Sequence, residues 1–409
     1  GNNADFIKDG NTLSDDQFEG QTFDYILSNP PFGREWKNEK AAVEAEAKRG
    51  FAGRFGPGLP AASDGQMLFL LTAISKMKEP KDGGSRIAII HNGSPLFTGD
   101  AGSGPSEIRR YILENDLLEA IIALPNDIFY NTGIATYIWV LSNKKTGTKR
   151  EGKVQLINAN GLYKKRRKAL GNKRNDIPES AIAEITRLYG DFAESEISKI
   201  FDNSDFGYIK ITVERPLRLN FAVSEDRIEY LTNPQTIPDL FDDLRDPEER
   251  NGEEYSPVAF KIVKALRTMD QNKVWYDENE FRNVLSQALT NSRIPDNKYA
   301  VEHLVRSLSV ADPNAPIYLK RGKPQPDTTL RDTENVPLKE DIQTYFEREV
   351  LPFAPDAWID EKKSKVGYEI PFTRYFYKYE APKPSAEIMQ EILSIEAELD
   401  GALAEVFGV

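Results

Sequence analysis

The stretch FDYILSNPPF, residues 23–32, decides how this chain is read. Phe23 to Ser28 form an apolar, β-prone run. Its carboxyl end enters Asn29-Pro30-Pro31-Phe32, and the carboxyl ends of strands are where open α/β sheets bind ligands. Asn29 offers a side-chain carbonyl, and the proline after it biases its backbone towards the extended region. With the Pro30 carbonyl it provides two acceptors suited to one exocyclic amino group, drawing that nitrogen towards a tetrahedral, nucleophilic state. Phe32 adds a flat surface for a planar base. Pro31 stiffens the loop.

Outward from this loop, residues 35–50 suggest a short exposed helix and 51–65 a flexible loop. Met67, Leu68, Leu71, Ile74 and Met77 then recur at three- and four-residue spacing, with Asp64 placed to cap a helix. Strands are expected at 86–91, 117–123 and about 134–142, with a helix at 105–115 between the first two and the last two strands forming an antiparallel edge. Two glycine clusters invite a nucleotide reading. GRFGPG at 53–58 neither follows a strand nor opens a helix, so the dinucleotide fingerprint fails and a mobile loop near the target is expected. GDAGSGPSE at 99–107 lacks the Lys-Ser/Thr of a P-loop and reads as a tight loop with Ser106 capping the next helix.

Composition narrows the chemistry. The chain has no cysteine, so covalent attack on a pyrimidine ring by a thiolate, as cytosine-C5 methylation requires, is excluded. His91 and His303 are the only histidines and are far apart in sequence, so no metal is expected. No apolar run approaches the roughly 20 residues that span a bilayer. A membrane partner is therefore not expected, and a cytoplasmic assembly component is. The net charge of −12 is unlike that of a protein gripping DNA alone. Two local basic runs stand against it: Lys144, Lys145, Lys149 and Arg150, then Lys164, Lys165, Arg166, Arg167 and Lys168, which follow Tyr163. Both are candidates for tracking a nucleic-acid backbone.

The ordered blocks GNTLSDDQF, FDYILSNPPFG, SDGQMLFLLTAISKMK, GSPLFTGDAGSGPSEIRRYILENDLLEAIIALP, FYNTGIATYIWVLSNKK and VGYEIPFTRYFYKYE resemble the modification (M) subunit of type I restriction-modification systems, an adenine-N6 DNA methyltransferase family. Glutamine-N5 and some RNA methyltransferases share the tetrapeptide, so the set of blocks carries the resemblance. It implies an α/β fold: the later half of a Rossmann-like S-adenosylmethionine methyltransferase sheet, followed by a mostly helical carboxyl-terminal region. The expected divisions are a partial catalytic domain at 1–160, a mainly helical region with a few strands at 161–330, and a carboxyl-terminal region at 331–409. The implied roles are catalysis by Asn29, Pro30, Pro31 and Phe32, cofactor contact by Gly10, Asn11 and Thr12, target-base stacking by Phe32 and Phe129, and DNA contact by residues 164–168. S-adenosylmethionine is the implied cofactor; double-stranded DNA and a specificity (S) subunit are the implied partners, with an endonuclease (R) subunit as an optional third.

Two features qualify that implication. The family's glycine-rich cofactor motif is missing, since only 28 residues precede Asn29. The first half of the sheet is therefore expected to be absent and the chain impaired by itself, and a non-catalytic module that binds the specificity subunit is the alternative. Beyond residue 150, strands are expected near 153–158 and 208–213, helices through 221–310, and an amphipathic helix at 337–351. The closing helix from Ser385 aligns Ile388, Ile392, Ile395, Leu399, Ala402 and Val406 at alternating four- and three-residue steps, a heptad seam that the family relation assigns to the partner subunit.

Overall fold

The computed structural model describes residues 4–232, 257–294, 298–379 and 381–407. The chain divides into two compact units, Gly1–Tyr208 with Val366–Val409, and Ile209–Lys365. This division falls after Tyr208 and after Lys365. Residues 366–379 return to the first unit because Tyr368, Ile370 and Phe372 are buried. Arg109 also donates from Nε to the Tyr368 carbonyl, while Ser106 Oγ accepts from Tyr368 N at 2.9 Å.

In the first unit the elements run β1 (Tyr25–Ser28), α1 (Lys40–Ala47), α2 (Gln66–Ser75), β2 (Arg86–Asn92), α3 (Ser94–Phe97), α4 (Gly104–Glu114), β3 (Leu118–Ala123), β4 (Thr136–Ser142), β5 (Lys153–Asn158), β6 (Lys164–Leu170), β7 (Lys173–Asp176), α5 (Glu179–Asp191) and β8 (Ser198–Asp202). Six strands form one mixed sheet in the order β1-β2-β4-β3-β5-β8. β1 and β2 are parallel with Ser28 opposite Ile89, β4 runs antiparallel to both β2 and β3, and β3 is parallel to β5. The α/β class expected from the sequence is therefore the class observed. The expected antiparallel edge is not. β4 inserts between β2 and β3, and the sheet continues through β5 and β8. β3 is buried at every position, as befits a strand inside the sheet with both faces covered. At the other end β1 is the edge strand, with Tyr25 and Leu27 72% and 84% exposed.

Trp139 is fully buried in the sheet, and Leu188 of α5 packs among Ile122, Val140 and Ile157. α2 is almost entirely buried, as its apolar run predicts. Gly65, not Asp64, occupies the cap position of α2; Asp64 lies one residue before it and accepts from Gln66 N at 3.1 Å. Both glycine clusters prove to be packing devices. Phe55 is fully buried, and Arg54 bonds Glu46 and the Thr12 and Leu13 carbonyls, so GRFGPG is a packed segment and not a mobile loop. A Cβ on Gly104 would lie 1.9 Å from the Leu59 carbonyl oxygen, which only glycine permits. Ser103, not Ser106, occupies the cap position of α4; Ser106 lies inside the helix and is buried.

The second unit has two small cores. Phe221, Ile228, Ile262, Leu266, Trp275, Phe281, Leu285 and Leu304 gather helices Glu225–Thr232, Pro257–Leu266, Glu278–Asn291 and Lys298–Ser307. Ile211, Val213, Val336, Phe346 and Val350 join strands Gly207–Glu214 and Asp332–Pro337 to helix Ile342–Glu349. The parts of the expected 221–310 helical run at 233–256 and 295–297 lie outside the described residues. No helix among the described residues is long and apolar enough to cross a membrane.

Candidate active site

The Asn29 loop leaves the sheet at the carboxyl ends of the parallel pair β1 and β2. Pro30 is buried and anchors the bend, whereas Asn29 is exposed. Neither the Asn29 amide nor the Pro30 carbonyl has a hydrogen-bond partner among the described residues, so both acceptors are available. Downstream, Gly33 turns the chain in a left-handed conformation (φ 63°). Trp36 then fastens it, with its backbone N donating to the Ala62 carbonyl at 3.0 Å and its indole N–H to Ala61 at 2.9 Å. Gly65 N donates to the Arg34 carbonyl at 2.9 Å. The loop is thereby tied to the start of α2.

Gln66, which the sequence reading quoted only within a block, links the two strands' surroundings. It is buried, accepts from Asn92 N at 3.0 Å and donates to Asp64 at 2.9 Å, joining the end of β2 to the start of α2. Its only sequence signal was its position just after Asp64. His91 beside it is fully buried with neither ring nitrogen bonded, edge-on to Trp139 at 5.9 Å. Burial pushes its pKa down to about 3, so it is a neutral core group and not a general acid. Among the described residues no cluster of three His, Asp or Glu side chains could hold a metal ion.

Phe32 and Phe129 are brought together, with ring centroids 5.8 Å apart and planes at 80°. This is an edge-to-face contact. A base inserted between parallel rings needs about 3.4 Å on each side, the stacking repeat of a nucleic-acid strand. The two rings therefore touch each other here, and clamping a base between them requires one to swing.

The turn at Gly10, Asn11 and Thr12 is held near the same loop. Asn11 Nδ2 donates to Glu39 at 2.7 Å, and Arg34, two residues after Phe32, reaches the same carboxylate at 3.4 Å. These contacts, Asn11 first, hold the Glu39 carboxyl below the usual range. Asn11 Oδ1 accepts from Leu13 N at 3.1 Å, and the Thr12 carbonyl accepts from Arg54. Most of the turn's polar capacity is thus used internally. S-adenosylmethionine presents an adenine ring, two hydroxyls, a carboxylate and two cationic centres. The donors and acceptors seen here match only part of that set, and no glycine-rich strand-to-helix turn lies beside β1 among the described residues.

The two basic runs part company. Lys145 is buried and donates from Nζ to Asp116 and to the Leu118 and Lys153 carbonyls. Arg150 is buried against Tyr189 and Phe192 at 4.3 and 4.5 Å, and Lys149 bonds the Asp191 carbonyl. Lys145 and Arg150 are structural, and the backbone-tracking expectation is corrected for these two; Lys144 and Lys149 are exposed. Residues 164–168 instead form β6, exposed except for half-buried Arg166. Arg166 pairs with Asp176, while Lys164, Lys165, Arg167 and Lys168 have no ion-pair partner among the described residues.

On the helix Ser385–Phe407, Ile388, Ile392, Ile395 and Leu399 are all exposed, with Met389 and Leu393 flanking them. The side chains of Ala402 and Val406 lie outside the described residues.

Residues 1–211, just over half of the 409, match the N-6 DNA Methylase family, and the chain belongs to that family. Its similarity to named relatives follows the same line. It is 29% identical over 223 residues to the type I restriction enzyme MjaIX methylase subunit of Methanocaldococcus jannaschii, a match covering 54% of this chain and 37% of the relative. It is 29% identical over 200 residues to the HindI methylase subunit of Haemophilus influenzae, covering 48% and 37%. Among solved structures it is similar to the type I restriction-modification methyltransferase subunit from Streptococcus thermophilus, with 26% identity, a TM-score of 0.39, and coverage of 47% and 37%. The matched region thus spans little more than a third of these relatives' length.

Proposed function

We propose that this chain is the target-base half of a type I restriction-modification methylase subunit, acting in methyl transfer from S-adenosylmethionine to adenine N6 in double-stranded DNA. The observation that carries this is the free acceptor pair, Asn29 amide and Pro30 carbonyl, beside an aromatic pair at the end of β1. Adenine N6 is engaged in base pairing inside a duplex, so the nucleotide must first be extruded, at a cost of a few kcal/mol. Phe32 and Phe129 part to receive the ring. Asn29 and Pro30 each accept one N–H of the amino group, aligning its lone pair, and the rate gain comes from proximity and orientation. The cofactor, when bound, supplies the electrophilic methyl group. Of this chain's residues, Asn11 and its turn are those that would meet it.

Partner assignments belong to the same proposal. A specificity subunit docks on the apolar stripe of Ser385–Phe407 and selects the DNA site, which reconciles the acidic net charge with a DNA substrate. An endonuclease subunit completes the assembly where restriction accompanies modification.

The test is Asn29→Ala within a reconstituted complex of the methylase with its specificity subunit. Loss of an interaction made in the transition state is expected to lower tritiated-methyl transfer about 100-fold or more, with DNA binding unchanged. Undiminished transfer would refute the assignment.

A further inference from the structure

The hairpin β6–β7 has no core of its own. Its strands pair Lys164 with Asp176 and Lys165 with Asn175, and β6 is exposed on both faces. A lone two-stranded hairpin is marginal in water. This one is held by a different loop. Asn172 N donates to the Tyr130 carbonyl at 2.9 Å, Arg174 N and Asn175 N donate to the Asp127 carbonyl at 2.9 and 3.1 Å, and Asn175 Nδ2 donates to the Asn126 carbonyl at 2.9 Å. Gly171, with φ 60°, comes so close that a Cβ there would lie 2.6 Å from the Tyr130 carbonyl oxygen. The loop it grips, residues 126–130, is the one that presents Phe129 to Phe32.

In a chain of net charge −12, residues 164–176 carry seven cations against one carboxylate, Asp176. Asp176 is taken by Arg166 and Lys173. Lys165 and Arg174 have no ion-pair partner among the described residues. With Tyr163, Asn126 and Asn160 they line a cavity of about 520 Å³ whose lining includes one carboxylate residue, Asp127. Lys165 and Arg174 are exposed and have no ion-pair partner among the described residues, whereas Lys145 and Arg150 of the 144–150 run are buried. Such charge concentrated beside an aromatic base site fits an anion on the same strand as the base.

We propose that this cavity takes the phosphodiester next to the extruded adenine. The diester oxygens bridge Lys165 and Arg174, and Tyr163 lies against the adjoining sugar or base. The hairpin is thus a strand clamp built onto the Phe129 loop. This rests on the reading of the Asn29 loop as an adenine site.

The experiment measures anisotropy of labelled duplex DNA, carrying 2-aminopurine opposite an abasic position, with the full chain across a series of salt concentrations. Each phosphate neutralised contributes about 0.9 to the slope of log affinity against log salt. The variant Lys165→Ala with Arg174→Ala releases the one phosphodiester they share, so it is expected to lower that slope by about 0.9 and weaken binding about tenfold at low salt. Its melting temperature should be unchanged, which excludes misfolding as the cause. An unaltered slope, no measurable binding by the wild-type chain at low salt, or tighter hairpin-dependent binding of an RNA duplex would overturn the clamp. Phe32→Ala separates the two readings: it should abolish the 2-aminopurine response while leaving the salt slope intact. A clamp that survives with no response to Phe32→Ala would sink the adenine site alone.

Discussion

Residues 144–150 and 164–168 look alike as sequence, each a short run of lysines and arginines after a strand, yet the fold uses them in opposite ways. In the first run, two of the four charges, those of Lys145 and Arg150, are turned inward. Lys145 reaches Asp116 and two carbonyls from a fully buried position, and burial pushes its ammonium pKa below the usual value. Arg150 is sandwiched by Tyr189 and Phe192, and its Nη2 donates to the Tyr189 carbonyl. In the second run, Arg166 pairs with Asp176, while Lys164, Lys165, Arg167 and Lys168 have no ion-pair partner among the described residues. The first run contributes to stability and the second is available to a ligand. The difference comes from neighbours: a carboxylate at 116 and aromatics at 189 and 192 for the first run, and for the second one exposed strand pair whose single carboxylate, Asp176, is taken by Arg166 and Lys173.

The largest expected effect that would break this contrast is at Lys145. Lys145→Ala removes a buried ammonium from two carbonyls and from Asp116, which is half-buried and keeps Gly152 N and Asn203 Nδ2 as donors, so the loss expected is that of hydrogen bonds to a charged group, about 1.5–3 kcal/mol. Urea denaturation should show that loss, whereas combined alanine substitution of Lys164, Lys165, Arg167 and Lys168 should stay within about 0.5 kcal/mol per site. Comparable losses for both would erase the distinction.

His91 sharpens the contrast from the other side, since its buried ring nitrogens have no partner and the interior there refuses a charge. The unfolded chain takes up a proton below about pH 6.5, while the folded state holds His91 neutral down to about pH 3. The unfolded state therefore binds more protons in that window. Stability is fully present above it and falls with pH at about 1.4 kcal/mol per unit. His91→Phe should flatten the slope measured between pH 6 and 5; an unchanged slope would show that other groups account for it.

Arg150→Ala should cost about 1–2 kcal/mol, from lost cation–π contact and packing of its stem against two rings. The smaller size relative to Lys145 is itself a check, because Arg150 has no ion-pair partner among the described residues to leave behind. A salt-insensitive loss would mark it as an interior contact, and a salt-dependent one as a surface charge.

The sequence made several things legible by local rules. The strand ending in Asn-Pro-Pro-Phe, the apolar period of α2, the absence of a cysteine nucleophile and the heptad stripe after Ser385 all follow from propensity, spacing and composition. Phe32 and Phe129 were paired from family resemblance, and they do meet, though edge to face. The glycine clusters misled because glycine signals backbone proximity without saying to what. Gly104 is glycine because Leu59 passes over it, a contact 45 positions away in sequence.

What the tertiary structure alone decided is which neighbours each segment has. Strand β4 sits between β2 and β3, Tyr368 returns to Arg109 and Ser106, Glu39 joins Asn11 to Arg34, and Asn175 fastens the hairpin to the loop of Phe129. Propensity and periodicity act over a few residues and can state what an element is. Partner choice depends on burial and hydrogen-bond satisfaction summed over segments far apart in the chain, and so it appears only once they are packed.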